Sequence, residues 1–211
     1  TLSETDNNSY TNFKLPITFQ NANRGKFAMT WAMNQGGLEL NPNIVQWMNM
    51  NMAEGDGYAT GESGPGYIRL SAPVEGQKEN FYGMANRLAE YLQPSFRTLL
   101  NDRLTAMEYA YYMSNVDSVL SGYGGMTDAG STEFNSGKNN FYFHDTPIFQ
   151  TICHTYDLSP ILTFHYEPGS FYSFGLAGWE TDLDRIYATV EQLPDDVVVV
   201  TQKQLADLYS Q

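Results

Sequence analysis

An α/β fold with a mainly parallel, barrel-like sheet is the class this sequence predicts, either TIM-like or an incomplete β/α barrel with flanking helices. Three observations predict it. Segments with strand-like alternation are interleaved with segments of helical spacing. The run Val197–Val200 is purely aliphatic and β-branched, as in a strand buried on both faces. The 211 residues include 42% hydrophobic side chains, enough for one domain with a substantial core.

Thr1-Leu2-Ser3 reads as the tail of a strand already under way, so the chain is expected to be one domain, 1–211, cut from a longer protein with further domains upstream. A polar loop is expected from about Glu4 to Gly25. Lys26 to Met33 alternates apolar with small or polar residues, as a strand does. Asn41-Pro42 starts a helix, with Ile44, Val45 and Met48 at helical spacing. A short strand at Gly57–Thr60 leads into the glycine-rich segment Gly61–Gly66.

The clearest helix runs from Lys78 to Gln93, where Phe81, Ala85, Leu88 and Leu92 share a face and Pro94 stops it. Leu104–Met113 and Val116–Leu120 read as strands, and Gly122–Gly137 as a long loop. Phe141–Cys153 and Ile161–Tyr166 are strand-like. Thr181 would cap a helix carrying Leu183, Ile186, Tyr187, Val190 and Leu193, with Asp184 as its capping-box partner. After the valine strand, Thr201 and Gln204 start a closing helix with Leu205 and Leu208 inward.

Composition narrows the chemistry. A net charge of −13, with only 11 scattered basic residues, excludes nucleic acid as the main partner, because phosphate binding needs clustered Lys and Arg. No stretch reaches the ~18 consecutive apolar residues of a membrane span. The single cysteine, Cys153, cannot form an internal disulfide or a multi-cysteine zinc site, and its apolar setting reads as a buried thiol. Aromatic residues make up 14% of the chain and 15 of them are tyrosines, whose flat faces and hydroxyls suit sugar rings.

Three segments carry a resemblance. Ser3-Glu4-Thr5-Asp6-Asn7 resembles an S-D-G-D-N motif, Arg24-Gly25-Lys26-Phe27 through Trp31 resembles R-G-x-F-x-x-x-W, and Ser63-Gly64-Pro65-Gly66-Tyr67 resembles S-G-x-G-Y. In this order and spacing they are similar to the GxGYxYP family, and the helix, V-V-V-V-T, helix ending resembles that family's end. The resemblance implies a barrel-like domain that acts on glycosidic bonds. The sequence departs from the pattern at Glu4 (Asp expected), at Thr5 (Gly expected), and at Arg69 and Leu70, where the signature has Tyr and Pro.

Candidate groups follow from strand ends, where α/β proteins gather their chemistry. Glu4 and Asp6 stand one residue apart after the strand tail, so on extended backbone they share a side. Two such carboxylates can hold sugar hydroxyls or divide acid and base duties. In their absence of company they are ordinary turn residues. Glu62, Ser63 and Tyr67 border glycines that let a backbone approach a ligand, though Gly-Pro loops are more often simple turns. His165 and Glu167 follow an apolar run, the first choice for a second carboxylate opposite Asp6 being Glu167; a solvated turn is the plainer reading.

His144 and His154 stand too far apart for an H-x-x-x-H metal site, and no G-x-S-x-G supports a serine triad. With the resemblance, the expectation is a glycoside hydrolase without metal or other cofactor. Asp6, Glu167 and Glu4 are its catalytic residues, and Asn7, Trp31, Glu62, Ser63, Tyr67 and His165 its substrate contacts. The rivals are a non-catalytic saccharide-binding domain, favoured by the departures at Glu4 and Arg69, and a metal-dependent polysaccharide deacetylase. The expected location is secreted, periplasmic or at the cell surface.

Overall fold

A computed structural model describes residues 2–3, 10–33, 39–60, 76–92, 97–98, 122–124, 140–143, 146–179 and 182–211. Among them eight strands form one sheet: β1 (Leu2–Ser3), β2 (Met29–Met33), β3 (Asp56–Thr60), β4 (Arg97–Thr98), β5 (Gly122–Gly124), β6 (Phe141–Phe143), β7 (Thr146–Thr155) and β8 (Ser173–Ala177). Their order is β5-β4-β3-β2-β1-β8-β7-β6, and β5 pairs with β7 as well. Seven strands are thus hydrogen-bonded in circular order, every pairing parallel. β6 is joined antiparallel to β7.

A π-helical turn, Tyr10–Lys14, runs into α1 (Leu15–Phe19). The remaining described helices are α2 (Pro42–Met50), α3 (Lys78–Leu92), α4 (Ser159–Thr163), α5 (Leu183–Val190) and α6 (Gln202–Tyr209). None of the described helices is long and apolar enough to cross a membrane.

β2 shows why the layers form. Its residues alternate between faces. Met29, Trp31 and Met33 point into a cluster with Phe19 of α1, Val45 and Met48 of α2, and Leu183 and Ile186 of α5. Thr30 and Ala32 point the other way, in register with Gly57 and Ala59 of β3. These small residues let α6 lie close. A Cβ on Gly57 would stand 3.4 Å from the Thr201 Cβ, and the Gln202 backbone N–H donates to Thr30 Oγ1 at 2.9 Å. Leu205 and Ala206 complete this contact with Ala32, Ala59 and Phe149. α6 begins with a capping box, in which Gln204 N donates to Thr201 Oγ1 and Thr201 N donates to Gln204 Oε1.

Several elements differ from the sequence expectation, each for a physical reason. Within the expected loop Glu4–Gly25, residues Tyr10 to Phe19 are helical, because Tyr10, Leu15 and Phe19 bury completely in the main cluster. The stretch Phe141–Cys153 divides into β6 and β7 around a turn. Ile161–Tyr166 is not a strand: Asp157 and Pro160 start α4 there, and the strand of this region is β8 further on. β5 lies inside the expected loop Gly122–Gly137. Asp182 caps α5, accepting from Arg185 N at 2.8 Å, whereas Asp184 accepts from Asn21 Nδ2 and Asn23 Nδ2. Those amides hold the Asp184 carboxyl below its ordinary pKa. Leu104–Met113, Val116–Leu120 and Thr181 lie outside the described residues.

The largest correction concerns Val197–Val200. These residues form an irregular strap, with Val198 77% exposed. Leu2 of β1 pairs with Leu176 of β8 on one side and Trp31 of β2 on the other, so at this point the circle has no gap for a closing strand. The parallel sheet stands without it.

Candidate functional site

The sheet has one carboxyl-end side because its circular pairings are parallel. Ser3, the last residue of β1, lies beside Ala177, the last of β8; Thr155, the last of β7, pairs with Leu176. Met33 and Thr60 end β2 and β3 together. Glu4, Asp6, Asn7, Glu62, Ser63 and Tyr67 lie outside the described residues, but the elements before them are fixed. Ser3 precedes Glu4 at the carboxyl end of β1, and Thr60 precedes the glycine-rich segment at the carboxyl end of β3. The chain reappears at Tyr10, a fully buried ring packed edge-on to Trp179 with centroids 5.3 Å apart.

Trp179 is a residue that sequence reasoning missed. It stands two residues past the end of β8, is 38% exposed, and packs edge-on with Tyr10. Tyr156, 49% exposed, and Asp157 follow β7 on the neighbouring strand. The Asp157 carboxylate accepts from Ser159 N at 3.1 Å and Ser159 Oγ at 2.8 Å. These bonds hold its carboxyl below the usual range, so it is a fixed negative charge at the start of α4. The available signal for Trp179 was positional: Gly175, Ala177 and Gly178 are small residues ending a short strand, with one large ring after them.

Trp31 is not a sugar platform. It is 1% exposed, packs on Phe19 at 5.1 Å, and donates Nε1–H to Asp56 Oδ1 at 2.9 Å. Asp56 also accepts from Ala53 N at 2.8 Å and Arg24 Nη1 at 2.5 Å, while the Arg24 guanidinium lies 4.0 Å from the Phe19 ring centroid. Burial and the nearby Asp56 charge push the Tyr58 hydroxyl well above its ordinary pKa. Arg24 and Trp31 of the R-G-x-F-x-x-x-W string therefore converge on the buried Asp56 at the amino end of β3. Gly25 belongs to the same string: its φ is +82°, and a Cβ there would fall 2.9 Å from the Ala53 Cβ. Gly25→Ala is expected to cost at least about 1–2 kcal/mol of stability, since an L side chain meets both a left-handed backbone and a clash. Urea unfolding checks this, and an unchanged midpoint would refute it.

Glu167 and His165 are both exposed, in the segment before β8. Ser170 N donates to Glu167 O at 3.1 Å, closing a turn in which Gly169 has φ +73°. Glu167 thus approaches β8 from its amino end, while Ser3 stands beside the last residue of that strand. A five-residue strand separates the two ends by about 13 Å. These elements do not bring Glu167 to the side from which Glu4 and Asp6 depart. Among the described residues no three His, Cys, Asp or Glu gather to hold a metal ion; His144 lies outside them.

Comparison with known proteins agrees with this architecture. No curated protein matches the sequence. Among solved structures, one described as a putative polysaccharide deacetylase from Mycobacterium smegmatis is similar with a TM-score of 0.57 at 9% identity, over 93% of this chain and 77% of that one. That likeness is one of fold. Residues 1–210 match the GxGYxYP putative glycoside hydrolase C-terminal domain, and the chain belongs to that family.

Proposed function

We propose that the chain is the catalytic barrel domain of a glycoside hydrolase acting on an oligo- or polysaccharide outside the cytoplasm. The observation that carries this reading is the bracketing of Glu4–Asp6. Their segment leaves β1 beside the end of β8 and returns at a tyrosine packed under the half-exposed Trp179. Glycosidic-bond cleavage uses paired carboxylates, and an exposed aromatic face at the same strand ends can hold a sugar ring. The circular order of parallel strands supports a barrel, whose chemistry sits at this end.

In this reading Asp6 is one of the acid–base pair, Glu4 assists, and Asn7, Ser63 and Tyr67 contact the sugar. Glu62, which follows β3, takes the place the sequence reading gave to Glu167. Trp179, with Tyr156, supplies the stacking surface.

The test is an assay of the wild-type protein on a panel of oligosaccharides, reading new reducing ends. Trp179→Ala should weaken saccharide affinity about threefold to tenfold, matching an aromatic contact of about 0.5–1.5 kcal/mol, as calorimetry would show. Binding without cleavage across the panel would turn the reading to a saccharide-binding domain. The fold shared with the mycobacterial protein keeps deacetylation as the second reading, and release of acetate from acetylated oligosaccharides without new reducing ends would establish it.

A further inference from the structure

β1 is shorter than both of its neighbours: it spans two residues, while β2 and β8 span five each. Leu2 is level with Trp31 on one side and with Leu176 on the other. β2 begins two residues before Trp31, and β8 begins three before Leu176. Both neighbours therefore run on past Leu2 toward the amino end, and among the described residues they do not pair with each other. At Leu2 they stand two strand spacings apart, about 10 Å, which is the width of one extended chain between them.

A cavity of about 370 Å³ lies in this gap. Its lining comes from both layers of the domain. Met29, Leu176 and Ile186 belong to the cluster that the sheet forms with α1, α2 and α5. Thr30, Gln202 and Leu205 belong to the opposite face, where α6 packs. A space that touches both layers and is flanked by Ala28–Thr30 and Ser173–Phe174 passes through the plane of the sheet. Continuing the parallel register, the place two steps before Leu2 is level with Met29 and Phe174, and the place three steps before it with Ala28 and Ser173. The Val197–Val200 strap borders the cavity but forms no strand pairing.

We propose that this slot is filled by the stretch of chain directly ahead of Thr1 in the longer protein, which continues β1 between β2 and β8 for at least two residues. Continuity favours this occupant over a free ligand or a foreign peptide, because β1 already runs in that line and its extension needs no turn. The matching family is described as a C-terminal domain, which places other chain ahead of it. A strand there also gives the facing backbone of β2 and β8 its ladder partners. Side chains alternate between faces, so the residue directly ahead of Thr1 shares the face of Met29 and Trp31 and is expected to be apolar. The upstream chain then enters at the amino end, away from Trp179, and the inference is independent of the chemistry proposed there.

Hydrogen exchange read by mass spectrometry tests this on the longer protein, beside the 211-residue chain, with circular dichroism showing that both are folded. Amides of residues 28–30 and 173–175 are expected to exchange at least about tenfold more slowly in the longer protein, and the residues just ahead of Thr1 should be protected with them. Proline in place of the residue directly ahead of Thr1, made in the longer protein, removes a ladder donor and should return both segments to fast exchange. Unprotected upstream residues, equal exchange in the two chains, or indifference to the proline would each overturn the proposal. A charged residue directly ahead of Thr1 would do so as well. Protection that appears in the 211-residue chain and rises with protein concentration would give the slot to another molecule and overturn the assignment.

Discussion

Replacing Asp6 by asparagine is expected to lower turnover on a cleavable oligosaccharide by about 100-fold or more while leaving the unfolding midpoint unchanged. The amide keeps the size of the side chain and most of its hydrogen bonds to hydroxyls, so saccharide affinity should hold. What is lost is a group able to give or take a proton at the bond being broken. Glu62→Gln should behave in the same way if the carboxyl-end pair is correct. Glu167→Gln is the informative comparison. Its turn lies at the amino end of β8, about 13 Å of strand from the level of Ser3. A loss at Glu167 equal to that at Asp6 would restore Glu167 as the partner, and a loss at neither would leave no acid–base role for these groups.

Asp56→Ala is expected to destabilise the fold by about 3–5 kcal/mol, the usual effect of removing one member of a buried ion pair. The Asp56 side chain is wholly buried and accepts from three donors, Trp31 Nε1, Ala53 N and Arg24 Nη1. Truncation leaves a mostly buried guanidinium, an indole N–H and a backbone N–H without that acceptor. Domains of this kind have only about 5–15 kcal/mol in total, so the variant should unfold near ambient temperature or express as aggregate. Denaturant titration of the soluble fraction would measure it, and a loss under about 1 kcal/mol would show that the network is not structural.

Much of the architecture was legible in the sequence, and the exceptions have causes. The helix from Lys78, the closing helix started at Thr201 and Gln204, and the strand in Lys26–Met33 depend on neighbours within a few residues, where pattern is strong. The valine run was misread because a β-branched stretch encodes only a preference for extension. Whether a sheet has room for it depends on Leu2 meeting Leu176, at the far end of the chain. Glu167 was misplaced for a related reason. His165-Tyr166-Glu167 follows an apolar run, but that run begins a helix at Pro160, and the strand comes after the carboxylate instead of before it.

Trp31 carries a different lesson. Its motif was recognised correctly and given the wrong task, since nothing local shows that Asp56, on the next strand, meets its indole N–H. Asp56 itself had no motif to mark it. Trp179 escaped notice because Tyr10, which packs against it, is far away in sequence, and because the short strand β8 just before it was not read as a strand.

The pairing of Leu2 with Leu176 also governs the order of assembly. A ribosome makes β1, β2 and β3 early, and they can pair with one another as they appear. The other edge of β1 then waits, unpaired, until nearly the whole domain has been translated and β8 emerges. During that interval the nascent sheet exposes backbone donors and acceptors that another chain could capture. Closure across such a sequence distance is slow. The residues that finish the ring are therefore also those that end the period in which the newborn protein is most exposed to misassembly.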